Sequence, residues 1–446
     1  KELKESLEKS LKEESLNFKS ISSYSSPTRL TILIKDIPKK IKVKAKDIKG
    51  PKVGVLEDIL NNFMRAHNVN KKDVFERENE KGKFYFIRTK SKEIQVKDLL
   101  IKVVLNSIAS LNWQKSMKWS DTNLIWGRPL RSILAVFNKK LLPFNYGHLK
   151  SNDFIIIEQD LSKKVKKVKN FKEYQSFLKN NKILLDHEER MKIILKKFES
   201  ICKSKNFNEN FDRNLLEEVV NIVENPNVLF IDFDKNYLEI PDEIIISTLK
   251  NHQRYFPLFD KKNNLTNFFL VVANKLDKEN LIKQGNKRVV EARLSDAKFF
   301  WDKDKSRNLI KQVGKLKDIT FYDKLGSVYD KTLRLRKLAS QLSDELNTNK
   351  EKTQTAASIS KTDLCSDLVG EYPELQGKMG KYFALAQGFD EDIANAVSDH
   401  YLPLGILSDV PKKPISYSVA LVDQLDSFVG FFIIDEKPPS SKDPFA

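Results

Sequence analysis

Two cysteines in 446 residues, Cys202 and Cys365, leave no material for a disulfide framework or a cysteine-rich zinc site and fit a reducing compartment. The histidines are as sparse: His67, His148, His187, His252 and His400 are scattered, with no two at metal-ligand spacing. No uninterrupted apolar run is long enough to cross a bilayer. The opening KELKESLEKSLKEESL is charged and helical in pattern, unlike a signal peptide. Also missing are the phosphate-binding GxxxxGK(S/T) pattern, the dinucleotide GxGxxG, and HExxH, GxSxG and CxxC. Asp423 and Asp426 lie one helical turn apart and read as solvated or capping groups rather than an acid/base dyad. By its own residues the chain carries no autonomous chemistry, no cofactor site and no metal site.

What is present is charge and aromatic bulk. A chain of this length suggests roughly two to four domains. A hydrophobic content of 40% with 28 phenylalanines can fill their cores, which excludes a disordered chain. Lys and Arg number 79 against 61 Asp and Glu, a net charge of +18 that suits a polyanionic partner, because phosphate binding releases counterions. Lysine and asparagine are abundant throughout, as an A/T-rich coding bias also produces.

Along the chain, Leu3, Leu7 and Leu11 mark a first helix, and TRLTILI (28–34) alternates like a strand. A basic loop follows, Lys49-Gly-Pro51 reads as a turn, 56–64 as a short helix, KFYFIR (83–88) as a strand, and 96–111 as a strong helix. Trp119 and Trp126 flank a polar turn; SILAVF (132–137) and 142–146 are strand-like. The Lys-rich stretch 158–170 reads as a solvated connection. Asp186 and Glu189 have capping-box spacing at the head of a helix bearing Met191, Ile194, Leu195, Phe198 and Ile201. Helix 215–223 turns at Asn225-Pro226-Asn227 into strand 228–233, and from Thr332 to Phe432 the pattern is helical throughout.

The stretch from Glu239 to Arg307 organises the rest. It passes from a helix opened by Pro241, Asp242 and Glu243 to a hairpin, 255–259 and 268–273 around 260–264, and then to a second helix over 286–301. On that helix Val290, Leu294, Ala297 and Trp301 form one stripe, with Arg288, Glu291, Ser295, Lys298 and Asp302 opposite. Arg293 falls inside the apolar sector between Val289, Ala297 and Phe300, where a guanidinium needs a partner, and Asp296 can supply it. Two readings stand: a structural Arg293–Asp296 pair, or an arginine held ready for a phosphate. Lys250, Arg254, Lys287, Arg288 and Lys298 form the candidate basic surface for an RNA backbone, and His252 is a core residue, a helix cap or an RNA contact.

The order of several stretches resembles the β subunit of the bacterial heterotetrameric glycyl-tRNA synthetases. The matching pieces include SPTRLTILI (26–34), MKWSD (117–121), GRPLRSILAVF (127–137), LLEEVVNIVENP (215–226) and LEIPDEIIISTLKNHQRYFPL (238–258). GNKRVVEARLSDAKFFWDKD (285–304), SKTDLCSDLVGEYPELQGKMGKYFA (360–384) and KDPFA (442–446) continue the series, so it covers almost the whole chain. The sequence departs from the family pattern at Thr28 and at Trp126-Gly127.

The resemblance implies an aminoacyl-tRNA ligase component that is not catalytic alone. A separate α subunit holds the class II site and uses ATP and Mg, while this chain binds tRNA(Gly) within a cytoplasmic α2β2 heterotetramer, away from membranes. It further implies that Lys1 and KDPFA are the ends of a fragment that lacks a short leader and a helical anticodon-binding region. The implied fold is α+β and multidomain: a mixed helix and antiparallel-sheet N-terminal two-thirds, divided at 1–160 and 161–319, then an all-helical, degenerate HD-like domain over 320–446. With His400 as its one histidine, and Lys361 and Asp363 where a ligand dyad would fall, that domain is expected to hold no metal. A free-standing RNA-binding or scaffold protein, or a metal-dependent HD phosphohydrolase, are the alternatives.

Overall fold

The computed structural model describes residues 1–446 except 44–46, 80–81, 89–91, 120, 122, 160–161, 406–407 and 437–446. The KDPFA stretch therefore lies outside the described residues. The chain divides into two compact units, Lys1–Arg190 and Met191–Ala446. Both combine helices with small sheets, and among the described residues there is no barrel.

In the first unit the helices Glu2–Glu13 and Val96–Ala109 bury Leu7, Leu11, Val96, Leu100 and Val103 against the ribbon Ser20–Ser26/Arg29–Lys35. Three further strands form an antiparallel sheet, with Gly82–Arg88 in the middle between Asp47–Lys52 and Val74–Asn79. Lys49-Gly-Pro51 is not the expected turn. It lies within the first of these strands, where the register shifts between Lys49 and Lys52. The bulge absorbs the proline, and a Cβ at Gly50 would meet the Phe63 ring at 2.6 Å. Met117–Lys118 pairs with Ile125–Trp126, placing the two tryptophans on one hairpin with the Trp119 indole donating to the Trp126 carbonyl. SILAVF is two short strands: Ile133–Leu134 runs parallel to 151–152, and Val136–Phe137 is antiparallel to Lys140–Leu141.

The Lys-rich stretch expected as a connection is instead a strand. Phe154–Gln159 and Ser162–Lys167 form an antiparallel ribbon whose Ile155 and Ile157 pack on Tyr174 and Leu178 of helix Phe171–Asn180. Burial of the first strand carries the second, which is exposed along its whole length. Arg190, fully buried at the end of this unit, donates to the carbonyls of Leu184, Leu185 and Ser25.

The second unit is built on the sheet Asn227–Asp232, Leu265–Ala273, Phe256–Phe259, in that order. Side chains alternate across it with period two. Val228, Phe256, Leu258 and Leu270 face Phe198, Cys202, Val219 and Val220 from helices His187–Lys205 and Arg213–Ile222. Ile231, Leu265, Phe269 and Val271 face the other way, onto Ile244, Leu249, Val290 and Leu294. With both faces covered, the central strand reads as the near-continuous apolar run FFLVVA. The first helix of the organising stretch is α-helical only over Asp242–Ser247; Thr248–His252 widens into a π turn before the hairpin. The second helix extends from Leu281 to Asp304.

From Val328 on, every described element is a helix or helical turn. Helices Val328–Glu345, Lys350–Ile359, Lys378–Ala386, Glu391–Asp399 and Pro414–Ile433 share the core that reaches the Leu281–Asp304 helix.

Candidate nucleic-acid interface

The expected basic residues all stand at or near the surface, but four of the five are already paired. The Lys250 ammonium lies 2.5 Å from Asp212, the N-cap of helix Arg213–Ile222, and Arg254 Nε donates to Glu218 on the same helix at 2.6 Å. Lys287 lies 2.7 Å from Asp232 at the end of a strand, and Lys298 lies 2.8 Å from Glu239. Hydrogen bonds from Lys250 and Lys287 hold Asp212 and Asp232 below the ordinary carboxylate range, and Asp232 and Glu239 raise Lys287 and Lys298 in return. Arg288 is exposed and, among the described residues, has no carboxylate at ion-pair distance.

Arg293 does not take Asp296. Its Nη1 donates to Glu371 of helix Asp367–Glu371 at 2.6 Å, while Asp296 is exposed. The reason lies in the width of the apolar sector. Val289, expected to flank Arg293 in the core, is 44% exposed, so the guanidinium sits at the rim and reaches across to a neighbouring element. His252 stacks on Tyr372 with ring centroids 4.7 Å apart and meets Glu374 Oε1 at 3.2 Å, a structural setting at the end of the π turn.

Beside these residues a cleft of about 450 Å³ opens over Val219, Val271 and Ile282, with Gln253, Asn274 and Asn286 in its wall. Asn274 accepts from the Glu224 and Asn225 amides, and Asn286 accepts from the Tyr255 hydroxyl. Gln253 is the lining amide whose side chain has no hydrogen-bond partner among the described residues.

A second polar constellation lies inside the helical region. Asp423 and Asp426, expected to be solvated, are buried. Lys361 Nζ lies 2.8 Å from Asp423 Oδ2, Lys331 Nζ 2.9 Å from Asp423 Oδ1 and 3.3 Å from Asp426, and Arg334 grips Asp426 at 2.6 and 3.0 Å. Both carboxylates are spaced i, i+3, and so are Lys331 and Arg334, which is the sequence signal that could have linked them. Burial pushes Lys361 below the usual lysine range, whereas Lys361 and Lys331 keep Asp423 low against the effect of its own burial.

Asp363 accepts from the Gly377 and Gly380 amides at 2.5 and 3.2 Å, and burial pushes it up to about 6. His400 donates from Nδ1 to the Val397 carbonyl, the tautomer that the 2.7 Å contact requires, and burial pushes it down to about 3. These acidic groups are engaged by ammonium, guanidinium and amide donors. Among the described residues no three His, Cys, Asp or Glu side chains are grouped to hold a metal ion.

A family model described as "Glycyl-tRNA synthetase beta subunit" matches residues 1–446. A glycine–tRNA ligase beta subunit of Rickettsia felis is 37% identical over 437 residues, which is 97% of this chain and 65% of that protein. Those of Rickettsia akari and Rickettsia prowazekii are 37% and 36% identical over 434 and 435 residues, with the same coverage. The chain thus spans about 65% of the length of the curated relatives it matches.

Proposed function

The chain belongs to the glycyl-tRNA synthetase beta subunit family, and from that premise we propose that it binds tRNA(Gly) and supports its glycylation by a separate catalytic α subunit. The observation that carries the reading is the family match over residues 1–446, together with 35–37% identity over 97% of the chain to relatives named as ligase beta subunits. In this reading ATP and Mg are used on the α subunit, the assembly is an α2β2 heterotetramer, and the complex works in the cytoplasm. No helix among the described residues is long and apolar enough to cross a membrane.

The division into 1–160, 161–319 and 320–446 is part of the same proposal, with the last of these an HD-like domain. There the positions of a ligand dyad are filled by Lys361, bound to Asp423, and Asp363, bound to two backbone amides. An ammonium group offers no lone pair to a metal, so the region serves as a framework. Within the organising stretch Arg288 is the residue best placed to meet phosphate directly. Lys250, Arg254, Lys287 and Lys298 reach it only by sharing or leaving their carboxylates.

Glycine-dependent ATP–pyrophosphate exchange tests the division of labour. The purified chain alone is expected to show none, and the reaction is expected to appear on adding the α subunit. Exchange by this chain in the absence of any partner would overturn the proposal.

A further inference from the structure

Lysines with no carboxylate partner among the described residues collect on the first unit. From Ser162 to Lys182 the sequence is SKKVKKVKNFKEYQSFLKNNK, eight lysines against the single carboxylate of Glu173. That carboxylate is turned inward to the helix cap, accepting from the Lys169 amide and the Asn170 side chain. Carboxylates outside the segment reach Lys167 at 2.9 Å, Lys179 at 3.8 Å and Lys163 at 4.0 Å. Lys164, Lys166, Lys169, Lys172 and Lys182 are all exposed and have no carboxylate partner among the described residues.

The scaffold beneath these lysines is ordered. In the ribbon Lys164 and Lys166 stand opposite Ile157 and Ile155, so they share the face that packs on helix Phe171–Asn180. Lys164 Nζ donates to the Asn181 side chain at 2.8 Å, and the Lys166 ammonium lies 5.5 Å from the Phe177 ring centroid. Their stems cover apolar surface while the charged heads stay in water. Lys182 follows the helix in a left-handed conformation (φ 58°).

We propose that the exposed strand Ser162–Lys167 and the helix Phe171–Asn180 form a docking surface for the phosphate backbone of RNA. The inference rests on the reading of this chain as a tRNA-binding subunit and places the contact on the first unit. Along the organising stretch a phosphate must compete with Asp212, Glu218, Asp232 or Glu239. Here, among the described residues, it competes with no carboxylate at these five lysines and displaces counterions, a main source of affinity for a polyanion. Lysine on an edge strand also blocks pairing with a second sheet, but that role leaves Lys169, Lys172 and Lys182, all off the strand, unexplained. Backbone contacts carry little sequence information, so this surface positions the RNA and leaves its identity to other groups.

The test is titration of tRNA(Gly) with the full chain in complex with the α subunit, at several salt concentrations. Replacing Lys164, Lys166, Lys169, Lys172 and Lys182 by glutamine is expected to weaken binding at least tenfold. The slope of log affinity against log salt is expected to become shallower by about one for each phosphate no longer neutralised. The matching lysine-to-arginine set is expected to bind like the parent. A variant that keeps Lys164, the one of the five whose ammonium hydrogen-bonds a side chain among the described residues, shows the same fall if folding is not the cause. Unchanged affinity and slope, with parent binding intact, would remove this surface while leaving the tRNA-binding reading in place. No binding by the parent would overturn both. Loss of α-subunit assembly with RNA affinity unchanged would assign the surface to a protein partner and overturn the proposal.

Discussion

Two buried ammonium groups, those of Lys331 and Lys361, meet on the Asp423 carboxylate. Replacing Asp423 by alanine leaves Lys331 and Lys361 buried without that partner. The expected loss is about 3–5 kcal/mol in urea unfolding, the usual cost of breaking a buried ion pair from one side. The double change Asp423→Leu with Lys361→Met is expected to recover much of that. A double variant as unstable as the single one would show that packing, not stranded charge, sets the cost. Sequence made Lys361 and Asp363 visible as a place to look, but the partners lie far along the chain and only folding brings them together. The Arg293–Glu371 pair, 78 residues apart, was out of reach for the same reason.

Titration at this site has a definite sign. Burial raises Asp363 from 3.8 to about 6, so its proton is held more tightly in the folded chain. Its contribution to stability is fully present below about pH 4 and is lost as pH rises through about 6. His400, lowered from 6.5 to about 3, works in the opposite direction: its contribution is present above about 6.5 and is lost as pH falls through 3. Asp363→Asn removes the first effect and keeps the second. The variant is therefore expected to gain stability relative to the parent on going from pH 4.5 to 7.5 in urea titrations. A difference that does not change with pH would contradict the assignment.

At the scale of elements, helix Lys378–Ala386 lies close against helix Glu391–Asp399 because Gly380 permits it. A Cβ at Gly380 would come within 2.7 Å of the buried Val397 side chain and 3.2 Å of Asp363. Alanine favours helix over glycine by about 1 kcal/mol. Gly380→Ala is nonetheless expected to destabilise the chain by about 1–3 kcal/mol through overpacking, with part of the loss restored by Val397→Ala. A stabilised Gly380→Ala chain would show that the two helices separate freely.

Elements with a clear apolar run or one clear period were the legible ones. The hairpin Phe256–Phe259/Leu265–Ala273 and the helix Leu281–Asp304 stand where short apolar runs and a three-to-four spacing put them, the second strand and the helix each beginning several residues earlier than expected. The strand Ser162–Lys167 has no such period, since four of its six residues are lysine. It is a strand only because Phe154–Gln159 beside it buries Ile155 and Ile157. Similarly, the helix beginning at Asp242 carries an apolar side in sequence, but nothing there announces the π turn at Thr248–His252.

For the whole molecule, a net charge of +18 and membership of a ligase beta subunit family are the two facts on which the proposed tRNA-binding role rests. Charge alone could not single out the proposed contact, because lysines stand on almost every element and many are already paired with carboxylates. Distinguishing the paired from the unpaired needed the fold. The central claim is tested most directly by measuring transfer of glycine to tRNA(Gly) by the α subunit, with and without this chain, at matched protein concentrations. The account predicts that transfer depends on the chain and falls with rising salt as tRNA binding weakens. Equal transfer by the α subunit with and without it would contradict the account.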